Sequence, residues 1–219
     1  MAKRIPVYVY CILMAFVFLP LIVKSAYSFF LYHGVDVPAS NTRFAILLAE
    51  ELICLLVAFL LFRKMGYDMS VFGFKLRSGQ ILWSIGLFLI CLLATTLVLS
   101  VLVHVLAPNY HHTTSTFSTA TKVIAPLVIV LSIVNAYFEE FFLLRLSYHA
   151  LEGRISAISI GVLTIVIRIS YHTYQGVYGM AFVFIFGAIM ALYYTKYRSI
   201  EAPVIVHALW DILAFVRYM

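Results

Sequence analysis

Long apolar runs separated by short polar segments constrain this chain more than any other feature of its sequence. A helix needs about 20 residues to cross the hydrocarbon of a bilayer, and several of the runs reach that length. Because lipid offers no hydrogen-bond partners, a spanning segment must satisfy its own backbone groups, as an α-helix does. We therefore predict an all-α, polytopic transmembrane helix bundle with about seven spans. The runs cover residues 5–23, 44–62, 81–106, 123–138, 155–172, 178–195 and 202–216.

The composition supports a single integral membrane domain over residues 1–219. Hydrophobic residues make up 64% of the chain and charged residues 11%, whereas soluble proteins carry about a quarter charged residues. Residues 1–80 are expected to form accessory spans and an inner loop, and residues 81–219 the core spans that hold the site. The net charge of +6 comes from basic residues distributed among the loops, which predicts a lipid bilayer as partner and no nucleic acid.

The loop charges also predict an orientation. Lysine and arginine concentrate in cytoplasmic loops. With the N-terminus inside, nine of these residues fall on inner segments and four on outer ones, so we expect a cytoplasmic N-terminus. The inner set is Lys3, Arg4, Arg63, Lys64, Lys75, Arg77, Arg154, Lys196 and Arg198, and the outer set is Lys24, Arg43, Lys122 and Arg217.

Two adjacent carboxylates, Glu139 and Glu140, end the apolar run 123–138. Ionisable groups inside lipid are costly and usually face a partner, a cavity or a substrate. Neighbouring residues on a helix are about 100° apart, so the two acids should divide their roles. One could act as a general base on water while the other orients it or pairs with a cation. A purely structural ion pair with Arg145 or Arg168 is the open alternative.

Two further polar pairs lie in later apolar runs. Arg168 and His172 are four residues apart, as are His207 and Asp211, so each pair lies on one helix face. If the helices are straight, Arg168 lies near the level of the glutamates and His172 roughly 9 Å from it. We predict that these three polar faces converge on one site.

The local sequences around these residues resemble the motifs of a known family. Glu139-Glu140 followed by an arginine, a histidine in the string Tyr-His-Thr-Tyr-Gln-Gly at residues 171–176, and His207-Ala-Leu-Trp-Asp211 are similar to the three motifs of the CPBP family. This is the CAAX protease and bacteriocin-processing, or Abi, group of intramembrane proteases. The resemblance covers residues 132–213, and the N-terminal half matches only as additional hydrophobic spans.

The resemblance implies a CAAX-protease-like core in the C-terminal half, with a water-accessible site inside a helix bundle in a bacterial plasma membrane. Glu139 would activate a water molecule for attack on a peptide carbonyl, with Glu140 as its helper. His172 and His207 would position the water or stabilise the oxyanion. Asp211 occupies a position where the family has Asn or Asp. Arg145 and Arg168 are expected to support the site.

Two departures from the family motifs are visible. The usual first motif is EExxxR, whereas Arg145 lies one residue further along, about 100° away on a regular α-helix. Either Leu144 occupies the arginine position, or Glu140 is the motif's first glutamate and Phe141 replaces the second. We favour the former, because it keeps both carboxylates aligned with the motif. Arg168 stands where the family often has Phe. Both departures bear on activity more than on fold.

A metal site is a second interpretation of the same residues. Glu139, His172 and His207 could bind zinc, since carboxylate and imidazole are its ordinary ligands. The sequence contains no HExxH motif, and a metal-free hydrolase that depends on glutamate would use the same set. We therefore expect no cofactor, with a divalent metal such as zinc as the alternative.

Three functions agree with these patterns. The first is an intramembrane endopeptidase acting on a peptide or membrane-protein substrate, in peptide processing or bacteriocin immunity. The second is a noncatalytic membrane binding, immunity or scaffold protein, and the third a small-solute or proton-coupled transporter. Glu50 and Glu51 also lie in an apolar run, but no histidine accompanies them. Structural pairing or a lateral gate is favoured for them over catalysis.

Overall fold

The chain folds into a bundle of helices. The computed structural model describes residues 5–32, 40–76, 78–106 and 123–215. Five of the helices in these ranges are long and apolar enough to cross a membrane, so the predicted all-α transmembrane bundle is confirmed. The helices number seven over the described ranges, in agreement with about seven predicted spans. They are α1 (Val7–Tyr32), α2 (Asn41–Met65), α3 (Ser78–Leu106), α4 (Ala125–Leu151), α5 (Ala157–Ser170), α6 (Gly176–Tyr197) and α7 (Glu201–Phe215).

The two short helices are α5 and α7, with 14 and 15 residues.

Of the basic residues that predict the orientation, five lie outside the described residues: Lys3, Arg4, Arg77, Lys122 and Arg217. The cytoplasmic N-terminus therefore stays a prediction.

Helix α4 is the central element of the bundle. In its most apolar stretch, 61% of the residues are buried inside the protein, compared with 17% in the corresponding stretches of both α2 and α3. It packs against α7 on one side and α2 on another, while α5 packs on α6. The polar residues near the middle of α4 therefore face protein rather than lipid, which is where an intramembrane charge can be paired.

The hydrogen-bonding pattern of α4 changes directly after the glutamate pair. Its α-helical part ends at Glu140, a π-helix runs over Phe141–Leu146, and α-helix resumes at Ser147. Because a π-turn closes from residue i to i+5, it contains one residue more than an α-turn. The extra residue between Glu140 and Arg145 is absorbed in this way. The expected rotation of Arg145 by about 100° assumes a regular α-helix and does not hold here.

Helix α1 packs directly against the central elements. The ring of Phe18 stacks on Tyr171, with 5.1 Å between centroids, and meets Phe142 edge-on at 6.3 Å. The Tyr10 hydroxyl is hydrogen-bonded to the Ser147 hydroxyl at 3.0 Å. This N-terminal helix therefore supports both α4 and the segment that follows α5.

Candidate active site

Glu140 is the most deeply buried acid of the cluster, with 0% of its surface exposed. Its Oε1 accepts a hydrogen bond from Arg168 Nη2 at 2.7 Å and lies 2.8 Å from His207 Nδ1. Charge-assisted bonds of this kind are short and strong. They hold Glu140 between α5 and α7, so this carboxylate suits orientation of its neighbours better than contact with substrate.

Glu139 faces a different sector, as the helical spacing of adjacent residues predicts. Its Oε2 accepts a hydrogen bond from the Tyr171 hydroxyl at 2.5 Å. The same oxygen lies 3.5 Å from Arg168 Nη1 and 3.9 Å from His207 Nε2. One carboxylate oxygen is therefore surrounded by a hydroxyl, a guanidinium and an imidazole, which is an arrangement able to hold and orient a small polar molecule.

The hydrogen bonds of the two histidines assign a proton to Nδ1 of each ring. His172 follows the end of α5, and its Nδ1 lies 2.9 Å from the carbonyl oxygen of Arg168. A carbonyl only accepts, so we assign the proton to Nδ1, and in the neutral ring Nε2 carries the lone pair. In His207 the Nδ1 donates to Glu140, which directs Nε2 toward Glu139. His172 also interacts electrostatically with Glu139 and His207.

Asp211 lies at the more accessible side of the cluster. Its side chain is 19% exposed, whereas that of Glu139 is 7% exposed. Asn135 Nδ2 donates to Asp211 Oδ2 at 2.8 Å, and Asp211 Oδ1 lies 3.7 Å from His207 Nε2. Of these two acids, Asp211 is therefore the one nearer the surface of the bundle.

Arg168 is the cation shared by the glutamate pair. The residue is only 3% exposed, and its guanidinium carbon lies 5.4 Å from the centroid of the Phe186 ring. Gly187 makes room for it, since a Cβ there would lie 3.3 Å from Arg168 Cδ. Arg168 is thus a buried charge that neutralises part of the acid cluster.

Arg145 points to a different region from the glutamate pair. Its Nη1 donates hydrogen bonds to the backbone carbonyls of Val71, at 3.3 Å, and Gly73. Its Nη2 lies 3.9 Å from Glu201 Oε1, and that oxygen also accepts from the backbone N–H of Lys75 at 3.0 Å. Arg145 therefore ties the segment between α2 and α3 to α4 and α7.

Three contributors to this cluster are absent from the predicted set. Tyr171 precedes His172 directly, and Asn135 lies four residues before Glu139 on the same helix face, so both could have been found by spacing. Glu51 lies on α2, which packs against α4, and is 3% exposed. Its electrostatic neighbours include Glu139 and Asp211.

The residues present do not fit a metal at the glutamate pair. The carboxylate oxygen nearest His207, Glu139 Oε2, already has the Arg168 guanidinium at 3.5 Å. A divalent cation bound there would meet that positive charge in a poorly screened interior. Among the described residues, no group of three or more His, Cys, Asp or Glu has the geometry of a metal site.

Comparison with known proteins identifies the family that this bundle and its acid-histidine cluster resemble. Residues 121–213 match the model of a family described as Type II CAAX prenyl endopeptidase Rce1-like. The matched region contains α4, α5, α6, residues 201–213 of α7 and every residue of the predicted site. The CPBP resemblance is confirmed over these residues, and the match supports an intramembrane protease in general. No curated protein and no solved structure gives a match.

Proposed function

We propose that this multi-pass membrane protein is an intramembrane endopeptidase in which Glu139 activates a water molecule. The observation that carries the proposal is the environment of one atom, Glu139 Oε2. It lies within 4 Å of Tyr171, Arg168 and His207. Glu140 in turn pairs with Arg168 and His207 and holds them in place. A base with fixed donors around it is what attack of water on an amide requires.

We infer the steps of peptide-bond hydrolysis from the positions of these side chains. The Glu139 carboxylate takes one proton from water, and the water oxygen forms a bond to the peptide carbonyl carbon. Negative charge then develops on the carbonyl oxygen, where His207 Nε2–H in the imidazolium form can donate to it. When the C–N bond breaks, Glu139 returns its proton to the departing amine nitrogen. The products are a carboxylic acid and an amine, and the site is restored.

His172 and Asp211 have supporting roles in this proposal. The Nε2 lone pair of His172 can accept a hydrogen bond from the attacking water and fix its direction. Asp211, oriented by Asn135, faces His207 Nε2 and favours its protonated form through proximity of opposite charge. A peptide or membrane protein at the bilayer is the proposed substrate, in peptide processing or bacteriocin immunity.

A His207→Ala variant should test the oxyanion role. We expect cleavage of membrane-tethered peptides by purified protein in liposomes to fall about 10²–10³-fold, as on removal of one oxyanion donor. The matched control is His149→Ala, since His149 is exposed on the last turn of α4 and belongs to another surface. Cleavage by His207→Ala at the wild-type rate would reduce His207 to a structural partner of Glu140.

Chelation should separate the glutamate mechanism from a zinc mechanism. Because the Arg168 guanidinium already lies beside Glu139, we expect dialysis against a strong chelator to leave the rate of peptide cleavage unchanged. The measurement is initial rate before and after dialysis, with the metal content of the protein determined in parallel. Loss of activity that returns on addition of Zn²⁺ would contradict the metal-free proposal.

A noncatalytic membrane binding protein stays the alternative, and the displaced arginine is the feature that favours it. The π-helix Phe141–Leu146 accommodates the additional residue within the helix, which is compatible with both functions. The transporter alternative gains no specific observation from the helix arrangement.

A further inference from the structure

Glu51 occupies a core position on α2. The buried residues of this helix include Phe44, Glu51 and Ala58, which are seven residues apart and therefore share one face. That face packs against α4, with Phe44 in an apolar cluster that includes Val128. A carboxylate thus lies in a row of positions that otherwise hold apolar side chains.

One oxygen of the Glu51 carboxylate is buried without a compensating contact among the described residues. This atom is Oε2, which lacks a hydrogen-bond partner in the described part of the chain. The groups that interact with it electrostatically are other acids, namely Glu139, Asp211 and Glu50. A buried polar atom without a partner is costly, so its presence beside a reaction site calls for a role other than folding.

The two cations of the cluster are engaged by acids other than Glu51. Arg168 is engaged by Glu139 and Glu140, at 3.5 and 2.7 Å. His207 bonds to Glu140 and faces Asp211. Neither cation is in contact with Glu51 in the described structure. Among the described residues, no hydrogen-bond donor is therefore in contact with the buried Glu51 Oε2.

Two further acids interact electrostatically with Glu51, namely Glu50 and Asp211. Glu50, the preceding residue, is exposed, and the Asp211 side chain is 19% exposed. A cation beside Glu51 would therefore lie among negative charges, whose attraction is stronger where water is excluded.

We propose that Glu51 binds a positively charged group of the peptide substrate next to the scissile bond. The chemistry fits an ammonium or guanidinium, from a Lys or Arg side chain or from a free N-terminus. This inference rests on the proposed protease function and adds a substrate class to it. It also assigns a specificity-determining role to a residue outside the matched region 121–213.

Paired peptides test the proposal. Each pair differs only in charge, with lysine against acetyl-lysine beside the scissile bond, or a free against an acetylated N-terminus. For wild-type protein in liposomes we expect kcat/KM to favour the charged member roughly tenfold to a hundredfold, the value of a charge-assisted hydrogen bond. Which pair shows the preference identifies the source of the cation.

Variants at Glu51 connect the preference to this residue. In Glu51→Gln the ratio between charged and neutral peptides should fall to about one, because an amide cannot pair with a cation. Glu51→Asp retains the charge and should restore part of the ratio. The matched control is Glu152→Gln, at an exposed glutamate paired with Arg198, which should keep the full ratio.

Several outcomes would overturn the proposal. Equal cleavage of charged and neutral peptides by the wild type would do so, as would a preference that survives in Glu51→Gln. Both results would leave Glu51 with a structural role. If the wild type cleaves no peptide, the protease proposal fails separately. The same pairs are then compared by equilibrium binding to the wild type, where equal affinities reject the role of Glu51 as well.

Discussion

A Glu139→Gln variant is expected to hydrolyse peptides about 10²–10⁴-fold more slowly than the wild type, the usual contribution of a general base. Glutamine has nearly the same shape, and its amide oxygen can still accept the hydrogen bond that Tyr171 gives to Glu139. It cannot take a proton from water. The expected signature is therefore loss of turnover without loss of folded protein, measured as cleavage rate and as unfolding midpoint in detergent.

The control for this variant is Glu152→Gln, which removes a carboxylate that is 58% exposed and outside the acid cluster. It should retain both cleavage and thermal stability. Full activity of Glu139→Gln would remove Glu139 from the reaction. A large fall in its unfolding midpoint would instead show that the acid is needed for folding.

An Arg168→Met variant is expected to destabilise the protein by about 3–5 kcal/mol, the cost of breaking a buried ion pair and leaving charge uncompensated. The Arg168 side chain is 4% exposed, and it lies against Glu139 and Glu140. Methionine fills much of the same volume, so the loss reports on charge more than on packing. Unfolding by titration with a denaturing detergent measures the difference.

Arg198→Met provides a matched comparison. Arg198 pairs with Glu152, but the two side chains are 40% and 58% exposed, and exposed pairs contribute less than about 1 kcal/mol. Adding Glu140→Gln to Arg168→Met should recover part of the lost stability, because it removes one of the unpaired charges. Equal effects of Arg168→Met and Arg198→Met would contradict the view that Arg168 neutralises a buried acid cluster.

The spans and the central acids could be predicted from the sequence because the bilayer imposes strict rules. Apolar length identifies the helices, and a charge within an apolar run has few alternatives to a partner in the protein. The depth argument put Arg168 at the level of the glutamates, and the structure has it in contact with both. The spacing of four residues predicts that His207 and Asp211 lie on one helix face, and their side chains are close together in the structure.

Other parts of the site depend on how the helices and side chains pack, which the amino-acid sequence alone does not reveal. The change from α- to π-helix after Glu140 has no simple sequence signal, and it decides where Arg145 points. The role of Tyr171 depends on how the chain leaves α5. The direction of the Glu51 side chain depends on which face of α2 packs against α4. The seven-residue spacing of Phe44, Glu51 and Ala58 indicates only that these residues share one face.

The π-helix within α4 has a consequence for comparing chains of this kind. A search pattern that demands a constant interval between the acid pair and the following arginine would overlook a chain in which that interval is one residue longer. Treating the additional residue as damage to the helix would be equally misleading, since a wider turn accommodates it without interrupting the backbone hydrogen bonds. A search pattern that allows one inserted residue at this point should therefore find related sequences that a fixed interval misses.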